Sequence, residues 1–233
     1  MHAVVIGGRR GLGSALVRLW VEKEFTVSVI CRSDIPVSNR NLHYFACDLT
    51  NHQQTASAME QLVERNGKID AMVLTQRHRG GEPTANYEWN LLFESMVVLL
   101  ESLARGEYLN QDGSIVIINS IAKQFVALSE SATYHAAKSA VTQLVRYYAV
   151  KLGVKAQIRV NSVSPAIFIK DENEKFYSDP KVATEVLKNI PLGRIPTARE
   201  ISYLIDFLTS GFALSITGQD ITIDGGITLI APG

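Results

Sequence analysis

The stretch Ala3-Val-Val-Ile6-Gly7-Gly8-Arg9-Arg10-Gly11-Leu12-Gly13 decides how this chain is read. Its four leading apolar residues have the character of a short buried strand. From Leu12 onward apolar residues recur with helical spacing, through Leu16, Leu19 and Trp20, to about residue 24. Strand, glycine-rich turn and helix in immediate succession make a phosphate-binding device. The glycines permit a tight turn and close backbone approach, and the helix start presents unpaired N–H groups at the positive end of its dipole. A glycine triplet alone is weak evidence; the strand before it and the helix after it make it a dinucleotide site. Gly7, Arg9, Arg10, Gly11, Leu12 and Gly13 are therefore candidate cofactor-binding residues.

Outward from this unit, residues 26–31 form a second apolar strand that ends in Arg32-Ser33-Asp34. In a dinucleotide fold this end meets the adenosine ribose, where an acid selects NAD and an arginine selects NADP. Arg32 comes first after the strand and Arg10 points to the same neighbourhood, so NADP is favoured over NAD. Asp34 reads as a turn residue before Pro36. Residues 34–42 carry no helical pattern, so the crossover expected there is reduced to a loop. A third strand at 42–47 ends at Asp48, a helix spans 51–65, and a fourth strand at 70–74 exits into the bulky, basic run Thr75-Gln76-Arg77-His78-Arg79. That run reads as a solvated loop, with contact to a cofactor phosphate or an acidic substrate as the alternative. The helix expected over 86–104 is apolar nearly all round, as in a helix buried in a large core or a subunit interface.

A second constellation lies further on. The run Ser114-Ile-Val-Ile-Ile-Asn119 reads as a strand buried on both faces, with Ser120 at its carboxyl end, where open parallel sheets bind ligands. Fourteen residues later comes Tyr134, followed four residues on by Lys138. Residues four apart share a helix face. An ammonium about 4 Å from a phenol, at an effective dielectric of about 20, favours phenolate by roughly 4 kcal/mol. The same spacing recurs at Tyr147 with Lys151 and at Tyr177 with Lys181, but only Tyr134 follows a strand ending in serine. Ser120, Tyr134 and Lys138 are the candidate catalytic residues.

The totals narrow the class of molecule. With 233 residues the chain can form one domain, and 23 basic against 23 acidic residues leave no positive excess for nucleic acid or an anionic membrane. The apolar runs are too short to span a bilayer. Met1 leads almost directly into the first strand, so a cytoplasmic protein without a signal peptide is expected. Cys31 and Cys47 are expected as reduced thiols, and the histidines have no metal-site spacing, so no metal is assigned. Residues 166–190 mix Phe168, Phe176 and Tyr177 with acids and lysines and read as a lid over the site.

The glycine turn, Arg32, Asp48, Thr75, Ser120 and Pro165 each follow a strand and so share one edge of a parallel sheet. Right-handed crossovers then give a single-domain, Rossmann-type, doubly wound α/β fold with a parallel sheet of order 3-2-1-4-5-6-7. At this point the chain resembles a classical short-chain dehydrogenase/reductase over its whole length. Four blocks carry the match: the glycine turn; Ser120 with Tyr134-His-Ala-Ala-Lys138; Arg159-Val-Asn-Ser-Val-Ser-Pro165; and Ile190-Pro-Leu-Gly-Arg194 with Ile216-Thr-Gly-Gln-Asp-Ile-Thr-Ile-Asp-Gly-Gly226. The last block is similar to the 3-oxoacyl-ACP reductase-like branch. The resemblance implies an NADP(H)-dependent enzyme interconverting a carbonyl and an alcohol, with Tyr134 as general acid/base and Ser120 bonded to the substrate oxygen. Lys138 would hold the nicotinamide ribose, Asp48 and Leu49 would meet the adenine, Thr75 would stand at the cofactor crevice, and Ile167 would meet the nicotinamide amide. A homodimer or homotetramer is expected through the long apolar helices.

Departures from the family pattern are as visible as the matches. Leu74-Thr-Gln-Arg77 stands where Asn-Asn-Ala-Gly is usual, Ala166 replaces a glycine and Lys170 a threonine. The usual helix asparagine falls near Phe93 to Ser95, whereas the nearest asparagine is Asn90, about one turn or roughly 4 to 6 Å away. Water, not Asn90, is therefore expected beside Lys138. Two rival readings stand beside the enzyme. A non-catalytic dinucleotide-binding regulator or scaffold has no need of Ser120, Tyr134 and Lys138, and an epimerase or dehydratase with tightly held NAD is disfavoured by the lack of a separate substrate domain.

Overall fold

In the computed structural model, whose described residues are 1–32, 40–78 and 83–230, seven runs pair in parallel into one sheet. They are β1 (His2–Ile6), β2 (Thr26–Cys31), β3 (Leu42–Ala46), β4 (Ile69–Leu74), β5 (Leu109–Ile118), β6 (Arg159–Pro165) and β7 (Asp220–Ile223), in the order β3-β2-β1-β4-β5-β6-β7. The order expected from the sequence is the one found. Ser33 and Asp34 lie outside the described residues, as does most of the segment read as a helix-free crossover.

Helices cover both faces, because the central strands are buried on both sides, β1 and β6 throughout. One core packs α2 (His52–Asn66), α4 (Ser95–Arg105) and α5 (Ala132–Ala156) through Met59, Leu62, Leu99, Leu103, Val141 and Leu152. On the opposite face α1 (Gly11–Glu22) and α8 (Ala198–Thr209) pack through Leu16, Trp20, Ile201 and Ile205. Parallel pairing throughout puts the carboxyl ends of all seven strands on one edge. There the order reverses on either side of β1, and the crevice opens between β1 and β4.

The helix expected over 86–104 is not regular. It runs as α3 (Ala85–Trp89), a π-turn (Asn90–Glu94) and then α4. A π-turn holds one extra residue and rotates everything after it, which sequence spacing does not announce. Here Ser95 donates its hydroxyl to the Leu91 carbonyl at 2.9 Å, filling part of the disturbed ladder. Residues 166–190 include two short helices, α6 (Glu174–Tyr177) and α7 (Pro180–Leu187). Of their expected aromatic anchors, Phe168 packs on the α1/α8 core and Tyr177 faces the site described below, but Phe176 is 60% exposed.

Candidate active site

Two adjoining cavities open at the carboxyl edge of the sheet, of about 390 and 460 Å³. The first is lined by Gly7, Arg9, Arg10, Arg32, Asp48 and Leu49, among others. Leu12, Gly13, Ser120, Tyr134, Lys138 and Ile167 are among those lining the second. Arg10, Thr75, Gln76 and Arg77 line both and form the neck between them. The sequence-predicted residues are therefore brought together, except Ser33, which lies outside the described residues, and Gly11, which lines neither cavity but begins α1.

The glycine turn is held by steric fit. Gly7 has φ +86° and Gly11 φ +55°, values that side-chain-bearing residues rarely adopt. A Cβ on Gly13 would stand 2.5 Å from the Gly7 carbonyl oxygen. Thr75 fixes the turn from below: its N–H and hydroxyl both donate to the Ile6 carbonyl, at 2.9 and 2.8 Å, while a Cβ on Gly7 would meet that hydroxyl at 2.7 Å. Thr75 thus lines the crevice with its hydroxyl already committed to the backbone. Arg10, the N-cap of α1, makes no side-chain cap, which leaves the first-turn N–H groups facing the crevice. Asp48 holds the next turn, accepting from the Thr50 N–H at 3.0 Å and the Thr50 hydroxyl at 2.8 Å.

In the second cavity, Ser120 stands two residues beyond β5 and caps the short turn Ile121–Lys123, accepting from the Ala122 N–H at 3.1 Å. Ser131 caps α5 and accepts from the Tyr134 N–H at 2.9 Å, which sets the phenol in the first turn of that helix. The Tyr134 ring belongs to a small apolar cluster with Leu92, Ala122 and Ala137. Burial pushes its pKa upward, against the Arg77 guanidinium and a hydrogen bond with Ser120, which act downward. The net direction reverses the expectation from spacing alone. The Lys138 ammonium is 5.6 Å from the Tyr134 ring centre but donates to the Ile118 carbonyl at 2.8 Å. Full burial, helped by Arg77, lowers the Lys138 pKa to about 8.

Three features were not singled out as site residues from the sequence. The Gln76 amide is buried in the neck with neither its oxygen nor its nitrogen hydrogen-bonded. An amide left so in the molecule costs about 1–3 kcal/mol, and a polar ligand between the cavities would satisfy it. Arg77 lays its guanidinium over the Tyr134 ring, 5.3 Å from the centre, and pairs with Glu130. Lys123, three residues after Ser120, reaches through the protein to an ion pair with Asp220 of β7 and donates to Ser164 at 2.8 Å. Asp220 also accepts from Ser162 and Ser164, at 2.6 and 2.7 Å. Only the basic run after β4 hinted at any of these. A lysine in a turn and an aspartate at a strand start look like surface residues.

A closed glycine turn, an uncapped helix start, an unsatisfied amide in the neck and flanking arginines fit a dinucleotide lying from the first cavity into the second. A family profile described as enoyl-(acyl carrier protein) reductase matches residues 7–228. The chain belongs to the short-chain dehydrogenase/reductase family. Enzymes of this family are oxidoreductases that use nicotinamide dinucleotides. Similar proteins include senescence-associated protein 13 of Arabidopsis thaliana, 30% identical over 98% of this chain and 90% of the relative. Glucose 1-dehydrogenase of Gluconobacter oxydans is 25% identical over 97% and 91%. Among solved structures, a short chain dehydrogenase family protein of Francisella tularensis is 28% identical, covers 98% of this chain and 99% of its own, and superposes with a TM-score of 0.82. Within this family framework the Gln76-Arg77 exit is a departure located at the junction of the two cavities.

Proposed function

We propose that this short-chain dehydrogenase/reductase interconverts a carbonyl and an alcohol with NADP(H), using Tyr134 as general acid/base. The observation that carries the reading is the meeting of Ser120, Tyr134 and Lys138 in a cavity continuous with the glycine turn. When bound, the reduced nicotinamide supplies a hydride to the carbonyl carbon. The chain supplies the rest. Tyr134 donates its phenolic proton to the carbonyl oxygen, and its upward shift keeps that proton in place at neutral pH. Ser120 orients the same oxygen by a hydrogen bond. Lys138 presents a cation anchored on the Ile118 carbonyl, suited to hold ribose hydroxyls and to stabilise the phenolate left behind. Gln76 offers its donor and acceptor to the middle of the cofactor.

Arg10 and Arg32, both on the wall of the first cavity, support NADP over NAD, since charge-assisted bonds to a 2′-phosphate are worth about 1.5–3 kcal/mol. The segment 166–190 supplies Ile167, Phe168, Lys170, Asn173 and Tyr177 to the second cavity, which supports its role as a lid on a single catalytic domain. Tyr147, Val150 and Val154 stand exposed on one face of α5, at 55%, 69% and 87%, and support a homodimer or homotetramer. The described helices include none long and apolar enough to cross a membrane. A panel of ketones, sugars and acyl thioesters, followed by nicotinamide absorbance with NADPH and with NADH, tests the reading. Turnover with NADPH at tenfold or greater advantage is expected. Binding of the cofactor without oxidation by any carbonyl would support the regulator instead.

A further inference from the structure

The second cavity carries more positive charge than the reaction requires. Among its described lining side chains Arg10, Arg77, Lys138 and Lys170 are cationic and Glu130 alone is anionic. Arg10 and Arg77 line the first cavity as well, Lys138 is held on the Ile118 carbonyl, and Lys170 stacks on Phe168 at 5.6 Å. Arg77 stands at the point of chemistry, with its guanidinium carbon 5.3 Å from the centre of the Tyr134 ring. Stacking on a ring leaves the edge of the guanidinium plane, and its forked N–H groups, directed outward. Among the described residues, only one nitrogen of that fork, Nη2, has a hydrogen-bond partner, and that partner is Glu130. The pair is half-exposed, at 49% and 26%, so it is screened and readily exchanged. Beneath it lies Gln76, nine-tenths buried, with an unpartnered amide facing the same neck.

We propose that the substrate is an oxo acid, whose carboxylate takes the free edge of Arg77 in place of, or beside, Glu130. The inference rests on the carbonyl/alcohol reading above and adds the class of molecule reduced. A planar carboxylate matches the planar fork with two parallel charge-assisted bonds, a fit that a neutral ketone or an ester cannot make. Because Arg77 lies against the ring of the proton donor, the carboxylate stands only a few bonds from the carbonyl. Short oxo acids are therefore taken ahead of long ones. Cationic walls with low-dielectric backing also raise the local concentration of such anions. Glu130 occupies the fork when no substrate is bound, which keeps the arginine on the tyrosine ring.

The test uses matched pairs that differ only in charge: acetoacetate against methyl acetoacetate, and levulinate against methyl levulinate, with NADPH. The acid is expected to exceed its ester in kcat/KM by tenfold or more. In Arg77→Gln that ratio is expected to fall to within about twofold, and Arg77→Lys is expected to retain part of it, as a point charge without the fork. The ratio is the readout because a general loss of activity or stability leaves it unmoved. Calorimetric NADPH binding by Arg77→Gln separates a cofactor role. A tenfold weaker affinity with an unchanged acid-to-ester ratio overturns the proposal. So does a wild-type enzyme that reduces esters and neutral ketones as well as the acids, although the oxidoreductase reading then stands. Failure to oxidise NADPH with any carbonyl overturns both.

Discussion

Tyr134 sits in an apolar cluster that raises its pKa, while the two groups acting downward, Arg77 and Ser120, are on the side facing the cavity. This division suits a proton donor. Tyr134→Phe removes the proton without altering the packing, so turnover is expected to fall by about 10² or more with NADPH affinity little changed. Steady-state rates with calorimetric affinities check this; turnover within threefold of wild type would remove Tyr134 from the proton path. Lys138 is expected to set the pH range. With its pKa lowered to about 8, it is charged below that value and neutral above it. NADPH affinity of the unliganded enzyme, and with it reductive kcat/KM, is therefore expected to decline as pH rises through about 8. A profile flat to pH 9.5 would count against a charged Lys138 as cofactor anchor. Spacing set Tyr134 beside Lys138, but the upward push of burial on the tyrosine could not be read from it. Spacing reports which side chains are neighbours, whereas the shift depends on what buries them, and Leu92 and Ala122 are distant in sequence from the tyrosine.

At the scale of elements, the strand order was legible because β1, β4 and the second half of β5 carry apolar runs, and parallel connections of one hand leave few ways to arrange them. The helix preceding β5 was legible only in outline. Apolar residues stand on several sides of it around Leu91 to Leu103, and although Met96, Leu99, Leu100 and Leu103 form a buried stripe after the π-turn, their spacing does not show the register shift at Asn90–Glu94. The turn bears on the missing family asparagine. It begins at Asn90, yet that residue lines neither cavity, and its Oδ1 is buried without a hydrogen bond. One inserted residue shifts the helix by about 1.5 Å along its axis, short of the turn needed to bring Asn90 to Lys138. Asn90→Ala is therefore expected to cost less than tenfold in turnover at saturating NADPH, and to leave thermal stability unchanged or slightly raised, because it removes an unsatisfied carbonyl. A hundredfold loss with an intact fold would make Asn90 the anchor of the proton relay after all.

The whole molecule has its own pH response, set at the edge of the sheet opposite the site. His2, at the start of β1, is buried between the Gly67 carbonyl at 2.7 Å and the Ser28 hydroxyl at 2.8 Å. Burial lowers its pKa below 6.5, and His43 shifts the same way. The unfolded chain therefore binds protons near pH 6.5 that the folded chain does not. The stability contribution is complete above 6.5 and is lost as pH falls below it, by up to about 1.4 kcal/mol per pH unit for each proton. Urea unfolding at pH 7.5 and 5.5 should show the loss, with a smaller difference in His2→Asn; equal differences in the two proteins would exonerate His2. The buried pair between Lys123 and Asp220 acts over the same length scale. Lys123 belongs to the turn that carries Ser120, but its counter-ion enters the chain almost a hundred residues later, at the start of the last strand. A chain that stops before Asp220 therefore leaves the Lys123 ammonium without its counter-ion. Loss of the last strand is thus expected to disturb the turn that carries Ser120 as well as the edge of the sheet.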